Sequence, residues 1–228
     1  MTARPLIVVG DGGHGRVVRE VMRASGSHRL LAVVDDCYTE AGERDGVYYG
    51  PLLLLRTLLA DRADAEWIVA VGDNAARRAL VERIGMGEER CASLVHPAAC
   101  IAPGVPVGPG AVVMPGAVAN PGARIGAHAI VNSGAVVEHD AELGPFAHLS
   151  PNAALAGGTV AAEGAHIGIG ASVIPGVRIG RWSVLGAGAA AIRDVPDGVV
   201  AAGVPARTIR RLAELPPPYA PQPAGGGR

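Results

Sequence analysis

A chain of 228 residues holds enough material for one large or two modest domains. Its 20 Lys and Arg against 21 Asp and Glu leave no cationic footprint for nucleic acid or anionic lipid. No stretch reaches the ~20 unbroken apolar residues of a membrane helix, and 33 Gly with a single Phe argue for a core of small repeated layers.

The opening "MTARPLIVVG" passes straight into an apolar strand, with no basic region and apolar core of a secretory leader. Three cysteines (Cys37, Cys91, Cys100) are odd in number and lack metal spacing, so a cytoplasmic location is expected. The pattern predicts a strand over Leu6–Gly10 and a helix over Arg16–Ser25. A strand over Leu31–Asp35, a helix around Pro51–Asp61, a strand over Trp67–Gly72 and a helix over 74–85 follow. Between the first two lies "GDGGHG", in which Gly10, Gly12 and Gly15 fit G-x-G-x-x-G, and Asp35 and Asp36 stand where a ribose-binding acid would. This is one βαβαβ half of a dinucleotide fold, so residues 1–95 read as a small mononucleotide-binding domain. A glycine loop beneath a helix N-terminus cradles any phosphate, whether of a nicotinamide cofactor or of a sugar nucleotide.

From Ile101 the chain falls into fifteen consecutive hexads, ending at Ala190. Position one is Ile, Val or Leu except at Ala119 and Ala161, position five is small, and positions three and four are Pro-Gly in five units. A large aliphatic every six residues fills a central stack, while Pro and Gly supply corners. Short strands joined by such corners make a parallel β-helix, three hexads to a coil of 18 residues.

The repeat is most informative where it breaks. In "VEHDAE" His139 and Asp140 replace the Pro-Gly corner, and Asp tolerates a left-handed backbone. Glu138 and Asp140 flank the imidazole and would orient it and raise its basicity. His166 follows His148 by one coil, so the two would stack about 4.8 Å apart. Asn132 is expected near the wall that carries His139. Small residues at Gly157, Gly158, Gly168, Gly170, Gly186 and Ala187 leave backbone amides open to a long thin ligand.

"GDGGHGRVV", "VVDD", a hexapeptide solenoid carrying "NSGAVVEHD" and then "GVPAR" together resemble the sialic acid O-acetyltransferase-like family of hexapeptide-repeat acyltransferases. Within it the likeness is greatest to N-acetyltransferases acting on the 4-amino group of nucleotide-linked 4-amino-4,6-dideoxy sugars, enzymes of polysaccharide or glycan biosynthesis. The resemblance implies a left-handed β-helix and a homotrimer with sites between adjacent helices. It implies acetyl-CoA as co-substrate, with no permanently bound cofactor and no metal. His139 would be the general base and Asp140 its orienting acid, through a contact that Asp in place of a longer Glu could make indirect. Asn132 would approach the amino sugar. His148 would lie near the thioester, and Gly157, Ile169 and Ala187 along the pantetheine arm. The glycine loop (Gly12, Gly13, His14, Gly15) with Asp35 and Asp36 then reads as the cradle for the nucleotide sugar.

Sequence leaves O-acetylation of a sialic acid or other sugar hydroxyl as the alternative. Two further readings are a histidine metal site like that of γ-type carbonic anhydrases, built on His148 and His166, and a non-catalytic sugar-nucleotide sensor. Residues 96–190 are expected to form the solenoid, beginning near His96-Pro97, and 191–212 its cap. There Arg207 is read either as a partner of the CoA phosphates or as a solvated residue before a short helix. The composition of 213–228 predicts disorder.

Overall fold

The computed structural model describes residues 3–212 and 214–220. The chain divides into two compact units, one ending at Pro97 and the other spanning Ala98–Ala220. Among the described residues no helix is long and apolar enough to cross a membrane.

The first unit is a five-stranded sheet flanked by helices. Its elements are β1 (Arg4–Val9), α1 (Gly13–Ser25), β2 (His28–Val34), β3 (Gly42–Arg44), β4 (Val47–Gly50), α2 (Leu53–Asp61), β5 (Glu66–Val69) and α3 (Asn74–Ile84). The order is β3-β4-β2-β1-β5, with β4, β2, β1 and β5 parallel and β3 antiparallel at the edge. Leu6, Ile7 and Val8 are wholly buried, as near-continuous apolar strands of a two-sided parallel sheet should be. Two differences from the sequence reading have local causes. The first helix begins at Gly13 rather than Arg16, since Gly12 serves as its N-cap. The β3–β4 hairpin was not expected, although Asp45-Gly46 turns it with φ of 52° and 76°, the signature of a two-residue hairpin loop.

The second unit is a parallel β-helix, as the hexads predict, with the left hand that the family resemblance implies. Two-residue strands form three faces, and from Cys100–Ile101 to Ser172–Val173 each pairs in register with the strand 18 residues on, as Val136–Val137 does with Ala154–Leu155. One face carries Arg124–Ile125, Glu142–Leu143, Val160–Ala161 and Arg178–Ile179 (the four-strand face). The next carries Ile130–Val131, His148–Leu149 and His166–Ile167 (the histidine face), and the third runs from Cys100–Ile101 to Ala190–Ala191. Leu143, Leu149, Leu155 and Ile167 are fully buried, as are Ala141, Ala147, Ala153 and Ala165 one corner earlier. Large aliphatics therefore fill the axis, and small residues let the chain turn.

The end of the chain departs from expectation twice. Val199–Ala202 and Arg207–Arg211 form an antiparallel pair extending the histidine face, so Arg207 opens a strand rather than preceding a helix. Residues 214–220 pack on the solenoid, which corrects the prediction of disorder there, while 213 and 221–228 lie outside the described residues. The Tyr219 ring stands edge-on to Phe146 at 4.7 Å, and the Tyr219 N–H donates to Glu163. Phe146, the only Phe, in turn stacks on His128 at 4.9 Å. One aromatic was enough to dock a segment whose composition looked too polar to fold. Phe146→Ala should lower unfolding free energy by about 3–5 kcal/mol, read from urea denaturation, because it empties a wholly buried position under Tyr219.

Candidate active site

In the α/β unit the chain leaves β1 at Gly10, whose φ of 115° suits glycine alone. A Cβ on Gly15 would lie 2.2 Å from the Gly10 carbonyl oxygen, so glycine there lets α1 close against the strand end. A Cβ on Gly12 would meet nothing within 4 Å and one on Gly13 only the tip of the Arg16 side chain at 3.9 Å, so backbone amides at the start of a 13-residue helix can meet an anion. The loop is clamped from beneath. The Asp35 carboxylate accepts the Asp11 N–H at 2.7 Å and the Cys37 N–H at 2.9 Å. Burial alone would raise the Asp35 pKa, but these backbone donors outweigh it and hold it below the usual value. Asp11 is itself saturated by Arg19 at 2.6 Å and by the Tyr38 hydroxyl at 2.5 Å, which drives the Tyr38 pKa up to about 12.

Asp35 is thus a structural clamp, and Asp36 is paired with Arg83 at 2.7 Å. Between them, outside the carboxyl ends of β1 and β5, lies a cavity of about 140 Å³ whose apolar lining includes Val34, Leu52, Val71 and Leu80. The chain order reverses between β1 and β5, and ligands of open α/β sheets bind at such a switch point. His14 stands in the helix's first turn, with Nε2 buried and unbonded among the described residues. Burial, and then the Arg77 cation, lower its pKa to about 4, so it is neutral at pH 7. Arg77 is buried and caps the Val71 and Gly72 carbonyls.

In the solenoid, Asp140 turns its corner with φ of 59°, the left-handed conformation that asparagine and aspartate accept best after glycine. Its carboxylate reaches back directly to His139 Nδ1 at 3.0 Å. Glu138 accepts the His139 N–H at 3.0 Å and, with its other oxygen, the Asn120 amide at 2.8 Å. The His139 ring lies over Gly157, where a Cβ would meet Nε2 at 2.5 Å. Gly157, expected along the acyl-donor arm, therefore also makes the space that seats the imidazole. The Asp140 hydrogen bond raises the His139 pKa above 6.5, against a smaller opposing effect of desolvation. Both side chains are largely exposed (64% and 74%), so their pairing orients the ring more than it stabilises the fold.

A second cluster sits on the histidine face. His148 and His166 stack with centroids 5.0 Å apart and planes 2° from parallel. Asn132 Nδ2 donates to His148 Nε2 at 3.1 Å, and Ser150 bonds His166 Nε2 at 2.9 Å. Asn132 therefore contacts His148 rather than His139. Face-to-face rings direct their lone pairs alike instead of converging on one ion, and no group of three metal-ligating side chains occurs among the described residues. Ile169 and Ala187 share the next corner, one coil apart and exposed, joined through the Gly188 N–H to the Ile169 carbonyl at 2.8 Å. Arg207 lines a cavity of about 280 Å³ together with Arg193 and Thr208.

Within one chain, then, His139 groups with Asp140, Glu138 and Gly157, and Asn132 with His148. The four-strand face separates the two clusters, because Glu142–Leu143 runs between them. Sequence reasoning missed Asn120, Ser150, Tyr38 and Arg77. The first could have been found from the 18-residue spacing that places Asn120 under Glu138.

Residues 5–84 match the family described as the PglD N-terminal domain. UDP-N-acetylbacillosamine N-acetyltransferase of Bacillus subtilis (strain 168) is 46% identical over 95 residues, 42% of this chain and 44% of that protein. The aligned part thus spans less than half the length of that curated relative. Perosamine N-acetyltransferase from Caulobacter crescentus, solved as a histidine-to-asparagine variant with CoA and GDP-perosamine, is 41% identical, with a TM-score of 0.81 over 90% of this chain and 96% of that one. The acetyltransferase domain of PglB from Neisseria gonorrhoeae FA1090, in complex with acetyl coenzyme A, gives 37% and 0.80 over 91% and 100%. A glycine-loop α/β unit joined to a hexad solenoid with a corner histidine defines a class of acyl-transfer proteins. The chain belongs to the hexapeptide-repeat acetyltransferase family.

A general base at His139 would act through its neutral form, so activity would rise with pH through the His139 pKa. Asp140→Asn removes the interaction that raises it, so the acidic limb of kcat/KM and the His139 NMR titration should both move to lower pH.

Proposed function

We propose that the chain is an acetyl-CoA-dependent N-acetyltransferase acting on the 4-amino group of a nucleotide-activated 4-amino-4,6-dideoxy sugar. The observation that carries this reading is the His139–Asp140 pair on an exposed corner. With Nδ1–H donated to the carboxylate, the ring presents its lone pair at Nε2, the arrangement of a general base. The sugar amine attacks the thioester carbonyl carbon, the C–N bond forms, and Nε2 takes the proton that the nitrogen sheds. The C–S bond then breaks, and the imidazolium gives its proton back to the departing thiolate, so that CoA leaves as the thiol and the base is regenerated. Asp140 stabilises the imidazolium formed on the way.

The relatives support the substrate classes. One is named for a UDP-linked amino sugar, and another was solved with CoA and GDP-perosamine. In this reading the glycine loop of the α/β unit receives the diphosphate, with Gly12 and Gly13 supplying open backbone and His14 an uncharged ring. The cavity beside Asp36 takes the nucleoside. Ile169 and Ala187 flank the pantetheine arm, and Arg207 pairs with CoA phosphates. A homotrimer completes the site, because one chain keeps His139 and His148 on opposite edges of the four-strand face. A neighbouring copy presenting its histidine face at the His139 corner would unite them.

The test is thiol release from acetyl-CoA with a panel of UDP-, GDP- and dTDP-linked 4-amino-4,6-dideoxy sugars, with mass spectrometry of the products. One acetyl gained on a nucleotide amino sugar, and kcat reduced at least about a hundredfold in His139→Ala, is the expected result. Transfer only to hydroxylated sugars would replace it with O-acetylation, and tight nucleotide-sugar binding without turnover would indicate a sensor. Arg207→Ala should raise KM for acetyl-CoA several-fold and leave KM for the nucleotide sugar unchanged.

A further inference from the structure

One corner of the solenoid is unlike the other two. On the column between the four-strand and histidine faces, the left-handed corner position holds Gly110, His128, Phe146, Gly164 and Trp182, one per coil, and all are buried. Equivalent positions on the other columns, Asp140, Asn152 and Gly170 among them, are exposed. A strap of the chain lies along the buried column. Leu215 rests on Gly198, where a Cβ would meet its Cδ2 at 2.8 Å. Arg181 Nη2 donates to the Pro216 carbonyl at 3.0 Å, and Glu163 accepts the Tyr219 N–H at 3.1 Å. The Tyr219 ring then stands edge-on to Phe146 at 4.7 Å and to His128 at 6.3 Å. The strap thus steps back coil by coil from the last turn of the solenoid. Two coil spacings, from Gly198 to Glu163, are about 10 Å, and four residues of polyproline II cover about 12 Å. Its sequence suits the place, since Pro217 and Pro218 carry no N–H to leave unpaired between the two bonded backbone groups. Those groups are taken by the two members of one ion pair, Arg181 and Glu163.

We propose that this aromatic corner is a groove for a proline-rich strand carrying a tyrosine, and that residues 215–220 fill it as a built-in latch holding the last coils of the solenoid closed. The groove reads a carbonyl, an N–H and one aromatic ring, as aromatic-lined grooves for polyproline II segments do. A terminal coil has a coil to pair with on one side only, so it is the first to open. The latch ties that coil to three earlier ones through contacts that strand pairing does not supply. A tethered segment meets its groove at an effective concentration in the millimolar range, so weak contacts suffice to close it. The latch is independent of the acetyl-transfer chemistry and is read without turnover.

Hydrogen exchange of the full chain tests the latch, with Tyr219→Ala set against Tyr219→Phe. Residue 219 lies outside the hexads, so both variants keep the strand pairing of the coils. The Gly186 and Gly198 amides, bonded to the Ala201 and Arg181 carbonyls, should exchange about tenfold faster in Tyr219→Ala and near the wild-type rate in Tyr219→Phe. Amides of β1 in the α/β unit should not change. A peptide of sequence LPPPYA, residues 215–220, should bind the Tyr219→Ala chain with a nuclear Overhauser contact between its tyrosine and Phe146. At the same concentration it should not bind wild type, whose groove is filled. Wild type that takes the peptide as well as the variant does would show an open groove and overturn the proposal. Failure of the peptide to bind either chain would also overturn it, as would wild-type exchange in Tyr219→Ala. Acceleration spread equally over both units would do the same, because Tyr219 would then act on the whole chain and not on the last coils.

Discussion

Strand-on-strand pairing at a spacing of 18 residues is the constraint from which the rest of the solenoid follows. Each two-residue strand is too short to persist alone, and it is held by backbone hydrogen bonds to the coils above and below. That register fixes which side chains meet. Leu143, Leu149 and Leu155 point to the axis on successive faces, and whatever occupies the neighbouring outward position is stacked on its equivalent one coil away. A histidine at 148 therefore meets a histidine at 166 without any specialised loop. The same rule puts Gly157 beneath His139, where only the lack of a side chain leaves room for the imidazole.

The α/β unit solves a different problem, which is to hold a glycine loop still while leaving its amides open. It does so by spending its acids on the backbone and on each other's neighbours. Asp35 ties the loop to the end of β2, Asp11 is consumed by Arg19 and Tyr38, and Asp36 is paired with Arg83. No carboxylate in this set is left near Gly12 and Gly13 without a partner to offset its charge. An anion approaching the helix start thus meets backbone donors, a neutral His14 and the buried Arg77 cation behind it.

Much of the solenoid was legible because its physics is local and periodic. Aliphatic spacing gave the axis, and the His139–Asp140 substitution at a corner marked an outward imidazole on a left-handed turn. The polar pairings were not legible in the same way. Asn132 was expected beside His139, seven residues on, because sequence proximity suggested it. Its true partner, His148, lies 16 positions away, a distance set by outward positions on successive strands rather than by the 18-residue period itself. The docking of Tyr219 was hidden for another reason, since composition averages over a segment whose single aromatic finds Phe146. The Asp45-Gly46 hairpin, by contrast, carried a readable signal.

The central proposal is that His139 of one copy works with His148 of another. Co-expression of His139→Ala and His148→Ala chains, each inactive alone, tests it through the acetyl transfer of the mixed assemblies. Shared sites predict that mixing restores a measurable part of wild-type activity, since some interfaces would pair an intact His139 with an intact His148. Mixed oligomers that form but stay as inactive as their parents would place both histidines in a single-chain site and contradict the account.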